Sequence, residues 1–536
     1  MADVLYTISK YLIIILFACF VYASFGVCRQ LPAHKLKKKY NTQRVLMIFI
    51  HFLAFLSIGI KVLQGKAVDV TLRQLGVFYL AQLAYIIITA CILPRVLTLN
   101  RALNNCMLMF ICVGMIIQMR LGYSAALRQF YMIAGGTVLY VIFAIVIKKV
   151  NFARNLKWLY CIAGVALLIL VLVLAGVSGG AKTYLDLGII TFQPLEFVKI
   201  LFVLFVAAFF YTDRSYKTVL ITGIMAAAHV LILVACNDLG GALILAVIYV
   251  LMVYAAKKDW KILLIGLVLF GVACVCAYSL FSHVQTRVTA WLDPFSDISG
   301  AGYQIAQSLF AIGTGGWFGM GLYSGSPKTI PEVTNDMVFS AIAEELGVFF
   351  GILLILLWLC FILMIFRVSL RLSNIFHKLV CFGMGLAFGV QVFLNIGGAV
   401  KFIPLTGVNL PFISSGGSSM FASMIMIGMV QALYVISEVD VLNEREAAAF
   451  AFDKRFEPES APAARQRDLL RTESEDAGYT PGGYYGGKNG GGTEAYYNEE
   501  DYESIIAAKV RNMEEDNSEN KTGKKKKVRK INPEDF

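Results

Sequence analysis

The chain contains about thirteen separate runs of roughly twenty apolar residues, and this pattern restricts its fold more than any other feature. They lie near 8–28, 45–64, 74–94, 103–119, 129–147, 157–177, 195–211, 218–236, 240–256, 261–281, 338–366, 376–397 and 414–437. A helix of about twenty residues crosses the ~30 Å hydrocarbon core of a bilayer. Only helices and closed barrels satisfy their backbone groups in lipid, and the alternating ten-residue segments of a barrel are absent. The pattern predicts an all-α polytopic membrane protein of about 13 transmembrane helices. At 58% hydrophobic and 15% charged, a soluble chain of 536 residues would lack polar surface. The first run has no basic leader and no small-residue cleavage site, so it reads as a retained helix.

The net charge of +12 raises the question of nucleic acid, and the placement of the cations answers it. They sit in short loops between apolar runs and in one tail, without interleaved aromatics in a soluble domain, so no nucleic-acid partner is expected. The strongest cluster is Arg29, Lys35, Lys37, Lys38, Lys39 and Arg44 after the first run. Arg95 and Arg101, Lys148 to Lys157, Arg214 and Lys217, Lys257 to Lys261, and Arg367 to Lys378 fall on the same side if thirteen crossings are made. The positive-inside rule then predicts an extracellular N-terminus and a cytoplasmic C-terminal tail. The eleven cysteines lie in or beside apolar runs and read as small hydrophobes. Five scattered histidines argue against a histidine metal site or a Ser-His-Asp triad.

Two stretches depart from the membrane pattern. The loop from 282 to 337 is rich in aromatics, Gly and Pro, and carries apolar patches such as Ile305 to Ile312. Its length and composition predict a structured cap on the outer side. From 438 onward the composition turns to Glu, Asp, Lys, Gly and Tyr, with a basic cluster from Lys524 to Lys530. Such a segment buries too little apolar surface to fold alone, so 438–536 reads as a disordered charged cytoplasmic tail. Its basic end has the chemistry to touch anionic membrane lipids.

Ionisable residues in membrane helices are costly and mark candidate sites. Glu196 and Lys199 follow Gln193-Pro194 and share one helix face three residues apart. Mutual neutralisation that locks two helices is the plain alternative. Asp238, in Asn237-Asp238-Leu239-Gly240-Gly241, serves equally well as a helix cap. Asp336 enters an apolar helix at the end of the long loop, with Glu344 and Glu345 two turns on. Desolvation there raises a carboxylate's pKa and makes it a better proton acceptor, although an N-cap role is again the alternative. The residues alone describe an outward polar cavity with acid and base groups, suiting an enzyme or a transporter.

These same positions carry a resemblance. Trp291-Leu292-Asp293-Pro294-Phe295-Ser296-Asp297, then Gly302-Tyr303-Gln304 and Gln307-Ser308, are similar to the outer-loop signature of the SEDS family, the RodA, FtsW and SpoVE types. Asp336 with Glu344-Glu345-Leu346-Gly347 resembles the family's TDFIFA…EELG segment. Pro404, Thr406-Gly407, Leu410 to Ser414 and Gly416-Gly417-Ser418-Ser419 resemble its PxTGxxLPFxSxGGSS close. Gln193-Pro194 with Glu196 and Lys199 matches QPSExxK, and Asp238-Leu239-Gly240 matches PDLG. The resemblance covers 103–437, a ten-helix core containing the 282–337 loop, and 1–102 adds three helices, as in some Gram-positive members. Departures include Leu195 for Ser, Asn237 for Pro, Gly241 for Thr, Met337 for Phe and Ser415 for Tyr. Gly180-Ala181-Lys182-Thr183-Tyr184 keeps one cation where the family often has two.

The resemblance implies a peptidoglycan glycosyltransferase that polymerises lipid II on the outer face of the membrane during elongation or division. Asp336 is then the general base, receiving the acceptor hydroxyl's proton as an undecaprenyl pyrophosphate leaves the growing glycan. A pyrophosphate needs little protonation, so no second catalytic carboxylate is required, but cations must meet its charge. Lys199, Arg287 and Lys182 are the candidates, with Lys199 preferred because Glu196 can orient it. Gln193, Asp238, Glu345, Ser414, Gly416, Gly417 and Ser418 join the expected substrate-binding set. A divalent cation is the one candidate cofactor, and the sequence holds no recognisable cage for it. A class B penicillin-binding protein, a transpeptidase, is the implied partner, and Gly321 to Pro327 leans toward the elongation type. The competing readings are a flippase for the same lipid and a non-catalytic scaffold.

Overall fold

The computed structural model describes residues 2–28, 33–65, 70–149, 154–176, 182–186 and 191–456. Residues 1–454 form one compact unit. The expected Gly/Tyr stretch and basic cluster of the tail, and Gly180-Ala181, lie outside the described residues.

Three helical passes open the chain: α1 (Ala2–Val27), α2 (Ala33–Leu63), and α3 (Leu72–Ile87), which continues through a π-helical turn into α4 (Leu93–Val96). Pro94 has no amide hydrogen to offer the preceding turn, which accounts for the π turn at Ile88–Ile92. The core follows as α5 (Arg101–Leu121), α6 (Tyr123–Lys149), α7 (Lys157–Leu174), α8 (Pro194–Thr212), α9 (Tyr216–Ala235), α10 (Leu239–Lys257) and α11 (Trp260–Leu280). A short antiparallel pair, β1 (Leu185–Asp186) and β2 (Thr191–Phe192), stands before α8. Next come α12 (Ser282–Leu292), α13 (Tyr303–Gly315) and α14 (Val338–Leu346), then α15 (Val348–Arg371), α16 (Ile375–Ala399) and α17 (Gly417–Phe456). Among the described residues, 13 helices are long and apolar enough to cross a membrane.

Helix α5 is the pillar of the bundle. Its membrane segment is 100% buried, and its polar side chains are spent on neighbours. Asn104 donates to the Thr89 carbonyl (2.8 Å) and Asn105 to Gln43 Oε1 (3.1 Å), so the pillar is bonded to the extra helices. Toward the other end, Gln118 donates to the Thr334 carbonyl (3.1 Å), and Arg120 pairs with Glu345 (2.9 Å). Between these ends an aromatic stack carries the contact: Phe110 lies 3.9 Å from Trp358 at 10°, with Phe361, Phe388 and Phe412 around them. A Cβ at Gly114 would stand 2.9 Å from the Ile413 Cα, so a side chain there would push away the 410–413 segment.

Two expectations need correction. The apolar run 338–366 is not one helix. Gly347 takes a left-handed φ of +94° and splits it into α14 and α15. The first amides of α15 are then met from outside it, Val348 by the Gly316 carbonyl (2.9 Å) and Phe349 by that of Trp317 (3.1 Å). The charged tail does not begin in disorder at 438, because α17 continues to Phe456. Arg371 pairs with Glu438 (2.9 Å), and Asp440 accepts from the Ser373 amide (2.9 Å), tying that continuation to the loop before α16.

Trp358→Ala removes the centre of the stack and leaves a cavity against α5. It is expected to cost ~3–5 kcal/mol of stability, read by unfolding in detergent micelles. A loss below ~1 kcal/mol would show that the neighbouring rings close the gap.

Candidate active site

Asp336 is the residue immediately before Met337, the N-cap of α14, and it is 8% exposed. The turn leading to it is tight. Glu332 has a left-handed φ of 52°, and its carbonyl accepts from the Asn335 amide (2.9 Å) and the Met337 amide (3.3 Å). Asn395 of α16 donates to the Asp336 carbonyl (2.8 Å) and to that of Val408 (2.7 Å). On the other side, the Ser414 hydroxyl donates to the Asn335 carbonyl and accepts from the Leu410 amide, and the Ser415 amide donates to Thr334 (2.7 Å). The backbone of this residue is therefore fixed from several elements.

The carboxylate itself is held loosely. Gln304 of α13 donates to Oδ2 at a long 3.5 Å, and buried Oδ1 finds no hydrogen-bond partner among the described residues. Burial pushes the Asp336 carboxyl up to about 7, and the Glu332 carboxylate adds to the rise. Its own backbone amide, Gln304 and, least, Arg287 pull it back. A carboxylate with a free oxygen and a pKa near neutrality is suited to accept a proton. An N-cap role is not what the geometry shows, since Met337 precedes α14.

Arg287 on α12 is the cation beside it. Its guanidinium donates to the Leu405 carbonyl (3.4 Å), and α12 is tied to the same loop by Trp291 donating to Lys401 (3.2 Å). The same guanidinium also pulls down Asp238, whose carboxyl burial pushes up. Asp238 caps α10 through the Gly241 amide (2.8 Å), which agrees with its plain reading as a cap. Tyr184, next to β1, lies within electrostatic reach of Glu196, Asp336, Asp238 and Glu332. They add to the upward push that partial desolvation gives its phenol, while the residue as a whole stays 38% exposed.

Lys199 is 1% exposed and donates to Glu196 Oε2 (2.6 Å) and Gln391 Oε1 (2.6 Å). The expected pairing with Glu196 is present, and Gln391 extends it into a joint between α8 and α16. Lys182 is also engaged elsewhere, donating to the Leu172 carbonyl (3.0 Å) at the end of α7. The Glu345 carboxylate, fully buried, binds Arg120 and the Tyr323 amide (2.7 Å), so it fastens a loop. The Ser418 hydroxyl accepts from the Gln193 amide (2.9 Å), joining α17 to the start of α8. Cβ atoms at Gly416 and Gly417 would lie 3.1 Å from Asn409 Nδ2 and 3.3 Å from Met132 Sδ, so both glycines, like Ser414, serve close fit. Among the described residues no three His, Cys, Asp or Glu side chains converge on a metal position. The described residues do not form a divalent cation cage.

Arg120, Gln391 and Asn395 were readable as polar interruptions of apolar runs. Tyr184 and Gln304 lay inside motif segments, but their approach to Asp336 is set only by tertiary placement.

The family model for FtsW, RodA and SpoVE, described as cell cycle protein, matches residues 95–438. The chain belongs to this family of multi-pass membrane proteins. It is 34% identical over 310 residues to the peptidoglycan glycosyltransferase RodA of Mycobacterium bovis, covering 54% of this chain and 66% of that one. It thus spans just under two thirds of that relative's length. With the peptidoglycan glycosyltransferase MrdB of Escherichia coli it shares 32% identity over 315 residues, 57% of this chain and 85% of the other. A chain from a solved peptidoglycan synthase complex, in which polymerization and crosslinking are structurally coordinated, superposes with a TM-score of 0.54 at 25% identity. That match covers 63% of this chain and 98% of the other.

The raised pKa carries a stability consequence. Asp336 holds its proton to about 7 in the fold but releases it near 3.9 when unfolded, so ionisation progressively penalises the native state across that interval. Asp336→Asn is expected to match the wild type in thermal unfolding near pH 4. Its advantage should grow to about pH 7 and then level off. An advantage independent of pH would contradict the desolvated carboxylate.

Proposed function

We propose that this chain is a peptidoglycan glycosyltransferase that polymerises lipid II, with Asp336 as its general base. The observation that carries the reading is a buried carboxylate with one unpartnered oxygen, held near neutrality beside Arg287. Membership of the family and the names of the relatives support the choice of reaction.

In this reading the acceptor sugar's hydroxyl oxygen attacks the anomeric carbon of the lipid-linked strand. Its proton passes to Asp336 as the bond from that carbon to the pyrophosphate oxygen breaks. The bonding pair leaves with undecaprenyl pyrophosphate, and Arg287 meets the developing charge. Tyr184 and Asp238 act on the polar groups of the sugars. The site opens to the outer face, with the N-terminus extracellular and the end of α17 cytoplasmic, in keeping with the loop cations. A class B penicillin-binding protein is the proposed partner, supported by the synthase complex whose chain shares the fold.

The test supplies fluorescent lipid II to the full chain purified with its transpeptidase. The wild-type rate should rise through a half-point near pH 7 as Asp336 ionises. Asp336→Asn should lower polymerisation by about 10²–10⁴-fold with its unfolding profile intact. Normal polymer from Asp336→Asn would overturn the assignment of the base. Movement of lipid II across vesicles without polymer would favour a flippase instead.

A further inference from the structure

The three leading helices lie outside the family match, which begins at residue 95, yet α1 reaches the segment that supports Asp336. The Tyr6 hydroxyl donates to the Leu322 carbonyl (2.7 Å) and stands 3.0 Å from the Ser324 hydroxyl. Tyr6 is 7% exposed, and the Lys61 ammonium of α2 sits 3.9 Å from its ring centroid. Gly321, with a left-handed φ of 95°, lies flush against the phenol oxygen, so that even a Cβ would strike it. The contact is thus a fitted one, with a hydroxyl seated in a backbone turn.

That turn is fastened to α14 at every step. Met320 and Gly321 donate their amides to the carbonyls of Glu344 and Glu345 (2.8 Å each). The Tyr323 amide donates to Glu345 Oε2 (2.7 Å) and the Ser326 amide to Glu344 Oε1 (2.6 Å). Arg120 closes the circuit through Glu345 and the Gly325 carbonyl (2.8 Å), and its guanidinium lies 4.6 Å from the Tyr323 ring centroid. Tyr323 in turn donates its hydroxyl to the Met119 carbonyl (2.9 Å). Helix α14 begins two residues after Asp336, so displacement of its far end tilts the wall that carries the carboxylate.

We infer that the N-terminal extension is an intramolecular brace, in which Tyr6 clamps residues 321–325 and so sets the position of α14 and Asp336. The inference rests on the reading of Asp336 as the base. Tyr6 touches no reacting atom and acts through the loop, so it is a positioning residue. The extension then adds, from within the chain, one more fastening to a turn that the core already holds. A positioning role of this kind affects the chemical step more than substrate affinity, because small misplacements of a base raise the barrier without removing binding contacts.

Tyr6→Phe tests this, since it keeps the ring against Lys61 and removes only the hydroxyl. Two readouts are taken on the full chain with its transpeptidase: hydrogen exchange of the 320–326 amides, and kcat and KM for lipid II polymerisation. Exchange in 320–326 should rise, and kcat should fall about three- to tenfold with KM within about twofold. Ser324→Ala should reproduce part of both changes, while Tyr11→Phe, on the same helix but without a hydrogen bond to the loop, should produce neither. Unchanged exchange in Tyr6→Phe overturns the brace whatever the activity. Raised exchange with unchanged kcat overturns its link to catalysis. Normal polymerisation by Asp336→Asn removes the reading of the base and the kcat link with it, while the exchange measurement still decides whether the brace exists.

Discussion

The buried pair of Arg120 and Glu345 is the interaction on which the functional end of the molecule depends. It joins the central pillar α5 to α14, and each partner has further bonds: Arg120 to Gly325, Glu345 to the Tyr323 amide. Two charges removed from solvent repay their desolvation only when geometry is good and the remaining donors and acceptors are met. Both conditions hold here. Losing one partner would strand the other in a low-dielectric interior, at a cost of ~3–5 kcal/mol. The pair therefore behaves as a fixed rivet, and the loop 320–326 is folded around it.

Asp336 is built on the opposite logic. Its backbone is held through the Asn335, Thr334 and Asp336 carbonyls, while its side chain receives one long hydrogen bond and keeps one oxygen free. Burial pushes both carboxyls up to about 7, but Glu345 has both oxygens bonded, to Arg120 and the Tyr323 amide, whereas Asp336 keeps one oxygen available. The cost of that desolvation is borne by the surrounding packing, from the Phe110–Trp358 stack to the close approach of Gly114 on Ile413. The same economy explains Lys199. A buried ammonium must be satisfied, and Glu196 with Gln391 does so at 2.6 Å each.

Membrane solvation explains why the polar residues of α5, α8 and α16 pair across helices. In lipid an unpaired side chain has no water to turn to, so a polar residue inside an apolar run either joins a neighbour or lines a cavity. Asn104, Asn105, Gln118 and Gln391 take the first course. Asp336 instead keeps one buried oxygen without a hydrogen-bond partner among the described residues.

The fold class, the thirteen helices long and apolar enough to cross a membrane and the burial of Asp336 were legible in the sequence, because each follows from local quantities: run length and a carboxylate at an apolar boundary. Motif order also marked Asp238, and outer-side charge marked Arg287. What neither could decide was which of several similar residues are committed to structural partners. Lys199, Lys182 and Glu345 have the charges of ligands, but their roles depend on partners such as Leu172, Gln391 and Arg120, respectively 10, 192 and 225 residues away in the chain from Lys182, Lys199 and Glu345. The break at Gly347 and the seating of Tyr6 on the 321–325 turn likewise arise from contacts between distant segments. Hydrophobic length is a property of neighbours along the chain, whereas the commitment of a charge is set by what packs against it. Tertiary structure alone supplied that.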